Sequence, residues 1–125
     1  MDITEYLSDI LLATAKDDVV FEEANIQYVE ALRAGTLLKA GSAEGELAPA
    51  AKGDTVVAVL IDRRLVLDEA GRVMRARDFT VGTKYPMVVV KTGVTLNKAK
   101  LVYLDKSAIL ETDVEVLKGL GIVAI

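Results

Sequence analysis

Apolar positions along the chain change their spacing near Val19. Before it, Ile3, Tyr6, Leu7, Ile10 and Leu11 recur at helical intervals, with Glu5, Ser8 and Asp9 turned elsewhere. Asp2 three residues ahead of Glu5 adds a capping-box start, so residues 2–15 are expected to be helical. A helix of about four turns is marginal alone and must pack on its own body or on a partner. From Val19 onward the pattern shortens to strand-like pieces, first Val19–Phe21 and Ile26–Val29. Arg33 to Leu38 reads as a turn entering a strand. Residues 40–54, small and Gly-containing around Pro49, predict a surface loop.

Thr55–Ile61 is nearly continuous in apolar residues and predicts a central strand buried on both faces. Leu65–Leu67 and Arg72–Ala76 flank Asp68-Glu69-Ala70-Gly71, a hairpin loop by its glycine. Met87–Val90 is a second buried strand entered through Pro86, Thr92-Gly93 turns the chain, and Leu101–Leu104 is a further strand. Thr112-x-x-Glu115 reads as a capping box for a short helix carrying Val116, Leu117 and Leu120, with Gly119 and Gly121 as its stop. Ile122 to Ile125 stays apolar to the last residue, which predicts a paired strand. The sum is a mainly β chain with minor α+β character. It reads as a small β-barrel or β-sandwich-like domain (25–125) with a short C-terminal helix, preceded by an N-terminal arm or helix (1–24).

Composition then narrows the chemistry. Hydrophobic residues make up 52% of the 125 but aromatics only 5%, so the core is built from Val, Ile, Leu and Ala rather than from ligand-stacking rings. The chain has no Cys, His or Trp. That removes disulfides, thiol catalysis and thiolate metal sites, together with the commonest general base and metal ligand. No catalytic residue, metal site or cofactor is expected. A carboxylate enzyme would need a strongly perturbed acid in a cleft, and no acid is marked out. Glu111-Thr112-Asp113-Val114 resembles the Glu-Thr-Asp-Lys hairpin of lipoyl domains, which makes a lipoyl-like carrier the alternative reading. Val114 stands where the attachment lysine belongs, and the Asp105-Lys106 pair lacks the surrounding pattern.

Charge is uneven. Residues 1–31 hold eight acids (Asp2, Glu5, Asp9, Asp17, Asp18, Glu22, Glu23, Glu30) against Lys16, whereas the remainder holds eleven acids and fourteen bases. The net charge of −4 argues against nucleic acid as a partner. The longest apolar runs are too short to span a bilayer, and Met1-Asp2 opens no signal peptide, so a soluble protein made in the cytoplasm is expected. Five of the six arginines (Arg63, Arg64, Arg72, Arg75, Arg77) fall in one stretch that would gather at a sheet edge and meet a neighbour or the acidic arm. The candidate interface residues are Ile3, Tyr6, Leu7, Ile10 and Leu11 on the arm, with Arg63, Arg64, Arg75 and Arg77.

Four segments in order carry a family resemblance. Ala34-Gly35-Thr36-Leu37-Leu38 is similar to the Gly-Thr-Val-Leu opening of tailed-phage head decoration proteins, and Ala58-Val59-Leu60-Ile61-Asp62 looks like their next strand. Val88-Val89-Val90 with Gly93-Val94 and Leu96, then Leu117-x-x-x-Gly121-Ile122, resemble their valine strand and closing segment. Together these cover about Ala34 to Ile125 and resemble the lambda head protein D-like group. The 2–15 segment and the Arg-rich stretch 63–77 are not part of that pattern. The resemblance implies a non-enzymatic capsid-cementing protein that trimerises on the outside of the expanded capsid. Its partners would be the major capsid protein and itself, with the arm docking on the capsid or a neighbour.

Overall fold

In the computed structural model, residues 10–14, 21–67, 70–73 and 75–125 are described. They form strands β1 (Leu11–Thr14), β2 (Phe21–Gln27), β3 (Leu37–Ala40), β4 (Glu46–Pro49), β5 (Ala58–Leu60), β6 (Lys84–Val90), β7 (Val94–Leu96) and β8 (Ile122–Ala124), with helix α1 (Glu111–Leu120) before β8. Five strands close a barrel in the order β2-β4-β3-β5-β6, and β1-β7-β8 make a separate three-stranded sheet. The expected β-rich domain with one short C-terminal helix is thus the observed one.

Period-two alternation sorts side chains into two cores. Ala24 and Ile26 of β2, Leu38 of β3, Ala58 and Leu60 of β5, and Met87 and Val89 of β6 fill the barrel. Leu37, Val59 and Val90, from the same walls, face the other way and pack with Val94, Leu96, Leu117 and Ile122 beneath the small sheet and α1. That double duty explains why β5 is apolar throughout: it has a core on each side. By contrast β2 alternates, with Asn25 exposed between buried Ala24 and Ile26 and Gln27 exposed after them.

Several elements differ from the sequence reading, each for a physical reason. Residues 11–14 are a strand rather than part of a helix. They pair antiparallel with β7 (Leu11 opposite Leu96, Thr14 opposite Val94) across a bulge, and the Asn97 N–H donates to the Ile10 carbonyl at 2.8 Å. Residues 2–9 of the expected helix lie outside the described residues, as do Val19 and Val20. The 40–54 loop contains β4, whose pairing with β3 places Pro49 opposite Leu38 at the strand's end. The Thr55–Ile61 strand is confined to β5. Among the described residues, the Arg-rich hairpin shows one bridge, Leu67 to Val73, between 3-10 turns at Arg63–Leu65 and Ala76–Asp78. Leu101–Leu104 is not a strand: Val102 makes isolated bridges to Thr36 and Ala108, whereas β7 was not anticipated.

The capping box is also corrected. The helix cap is Leu110, which offers no side-chain bond, and Thr112 lies inside the first turn. Glu111 and Asp113 there favour the helix dipole, and Gly121 closes the other end in the left-handed region with its N–H on the Leu117 and Lys118 carbonyls. In place of a cap, buried Tyr103 donates its hydroxyl to the Asp113 carboxylate and accepts from the Leu110 N–H at 3.1 Å. Burial, reinforced by Asp113, pushes the Tyr103 hydroxyl above its ordinary pKa. Tyr103→Phe should therefore lower the unfolding free energy by about 1–3 kcal/mol, because the buried Asp113 carboxylate and the part-buried Leu110 N–H lose their mate. Urea denaturation checks it, and a variant as stable as wild type would show that the hydroxyl is dispensable.

Candidate functional site

The arginines predicted to form one surface are divided by the fold. Asp62 is 2% exposed and caps the 3-10 turn at Arg63–Leu65. Its Oδ1 accepts from the Arg64 backbone N–H (3.0 Å) and Nε (2.9 Å), and its Oδ2 from Arg64 Nη2 (2.7 Å) and the Val88 N–H (3.0 Å). Burial pushes the Asp62 carboxyl up, but the bonds from Arg64 and Val88 outweigh it and hold the group below the usual carboxylate range. Arg64 also donates to the Pro86 carbonyl at 2.9 Å and lies over the Phe79 ring at 5.0 Å. It is thereby committed to the barrel wall. Arg75 pairs with Asp78 at 3.9 Å on the surface, and Arg63 is exposed.

Arg72 and Arg77 instead line a cleft of about 770 Å³ that also takes in Tyr28, Glu30, Arg33, Leu67, Val73 and Lys106. Among the described residues, this lining holds four cations and one acid. The cleft is built from three segments distant in sequence, and reading by stretches missed Arg33 and Lys106. Lys106 sits in a tight turn, its N–H on the Tyr103 carbonyl at 2.9 Å, and its Nζ reaches the Leu104 carbonyl at 3.2 Å. Burial, with Arg33 close by and only Asp105 opposing, lowers its pKa.

A second surface is apolar. Val116 and Leu120 lie one turn apart on α1 and are exposed, as are Val123 (44%) and Ile125 (67%). Val123 points outward from β8 between buried Ile122 and Ala124. Among the described residues, β8 is the last strand of its sheet and pairs with β7. Exposed apolar side chains near the end of a sheet are the kind of surface at which chains associate. Of the arm residues, Ile10 is buried in the core beneath the small sheet and Leu11 belongs to β1; Ile3, Tyr6 and Leu7 lie outside the described residues.

Compared with known protein families, residues 2–124 match the bacteriophage PhiTE minor capsid decoration protein. The chain belongs to that family. No individual curated protein and no solved structure matches it. The decoration protein accordingly has a structural role at the phage capsid, as the sequence resemblance implied; the matched family is that of PhiTE, and placement in the lambda-type group goes beyond the match. The lipoyl-like motif Glu111–Val114 forms the first turn of α1 and not a hairpin. Among the described residues no helix is long and apolar enough to cross a membrane.

Proposed function

We propose that this decoration protein binds the exterior of the expanded capsid as a homotrimer, in the manner of the lambda-type group, and stabilises the head. Family membership over residues 2–124 carries the reading. The physics is linkage: a protein that binds the mature lattice but not its precursor stabilises that lattice by mass action, and three joined contacts raise avidity well beyond one. The apolar surface of Val116, Leu120, Val123 and Ile125 is the face we assign to the major capsid protein. An obligate capsid contact buries apolar area, and these four side chains stand exposed among the described residues.

Val123→Lys is expected to weaken head binding at least tenfold, since it buries an unpaired charge at the contact. Its melting temperature should stay within a few degrees of wild type, because Val123 faces outward. Binding equal to wild type would move the capsid contact elsewhere. Stabilisation has its own readout: heads saturated with the protein should release DNA at a higher temperature than undecorated heads. Equal release temperatures would contradict it.

A further inference from the structure

We propose that Tyr103 and Asp113 are positioning residues: their buried hydrogen bond fixes the N-terminal end of α1 on the body of the protein and so sets where Val116 stands in the capsid contact. The capsid half of this rests on the reading above, whereas the mount itself rests on geometry. One side of the mount is rigid. Val102 donates its N–H to the Gly35 carbonyl at 3.1 Å and accepts from the Leu37 N–H at 2.9 Å, while Leu104 donates to the Ala50 carbonyl at 2.9 Å. Tyr103 is therefore carried on backbone bonded to the barrel wall on both sides of it, and its side chain is fully buried. Its hydroxyl meets the helix start at two points, donating to the Asp113 carboxylate and accepting from the Leu110 N–H.

The helix has need of such a mount. Asp113 and Leu117, one turn apart, are the buried residues of α1, with Val114 partly buried beside them. Apolar contact is non-directional, so it holds the helix down without fixing its rotation. A hydrogen bond weakens steeply as its angle departs from linear, so it does fix rotation. At the far end Gly121 is set by its backbone: its carbonyl accepts from the Gly93 N–H at 2.9 Å, and an added Cβ would fall on the Thr92 hydroxyl. Held at both ends, α1 presents Val116 from its middle. The Lys98–Glu111 pair adds little, because both side chains are solvated. A buried carboxylate is a costly anchor where an apolar one would hold as firmly, and what the polar pair adds is direction.

The test separates direction from stability. Replacing both partners by apolar groups, Tyr103→Phe with Asp113→Leu, removes the bond without leaving either side chain unpaired. This double variant should melt closer to wild type than Tyr103→Phe alone. Its α1 amides should nevertheless exchange with deuterium about fivefold faster than in wild type, while those of β5 and β6 keep their rates. Its affinity for expanded heads, read at a temperature where it is fully folded, should fall about fivefold. Unchanged exchange in α1 would overturn the mount, whatever the heads do, and so would equal acceleration in every element. Faster exchange in α1 with wild-type head binding would overturn its part in the capsid contact. Should the double variant fail to fold, Tyr103→Phe is read in the same way. Val123→Lys reads the capsid face separately, so a failure of that face leaves the exchange result to decide the mount.

Discussion

Gly35→Ala is expected to remove a large share of the protein's stability. Gly35 has φ +95°, and a Cβ there would fall on the Lys100 carbonyl oxygen, far inside contact distance. Its backbone is also a joint: the Gly35 N–H donates to the Leu60 carbonyl at 2.7 Å, and its carbonyl accepts from the Val102 N–H at 3.1 Å. Backbone meets backbone, so no rotamer change relieves the clash. The left-handed penalty of about 1–2 kcal/mol and the forced displacement together suggest a loss of about 3–5 kcal/mol. That is a large share of the roughly 5–15 kcal/mol that domains possess. Gly53 is the control: its φ of +94° is nearly the same, but nothing lies within 4 Å of an added Cβ. Gly53→Ala should cost only about 1–2 kcal/mol. Denaturant midpoints of the two variants decide it, and equal losses would show that the approach to Lys100 carries no weight.

Asp62→Ala should lower the unfolding free energy at neutral pH by about 2–4 kcal/mol. The Arg64 side chain is 44% exposed and rehydrates when its partner goes. The loss therefore comes chiefly from the Arg64 and Val88 N–H groups, which the carboxylate satisfies. The pH dependence has a definite sign. The folded-state pKa of Asp62 lies below its unfolded value, so the stability it confers is complete above the unfolded pKa and is lost as pH falls through the folded one. The gap between wild type and variant should be constant from neutrality down to about pH 5 and shrink below about pH 4. Melting temperatures across that range check it. A gap that stays constant to the acid limit would show that the ionised form of Asp62 is not what stabilises the turn.

Strands that carry a core on one or both faces declared themselves in the sequence. β5 and the Met87–Val90 end of β6 are apolar because two cores share them, and the apolar C-terminus pairs as β8. Strands decided by their partner did not. β1 contains apolar residues that suit a helix as well as a strand, and only the open edge of β7 selects between them. β4 hid in a stretch of small residues whose pairing with β3 and β2 is set by barrel closure. The helix start was misplaced because Leu110 carries no capping group, while Thr112 offered a local motif that the fold ignores. Asp62 beside Arg64 was open to reading, since an acid two residues before a base can cap the turn between them. The cleft was not, because residues near 30, 70 and 106 meet only in three dimensions.

The central claim is that the chain recognises the mature capsid lattice. Its most direct test is cosedimentation of the purified protein with expanded heads of its phage that lack it, beside unexpanded proheads. Saturable binding to expanded heads, with none to proheads, is the predicted result. Equal binding to both forms, or binding to neither, would contradict the account.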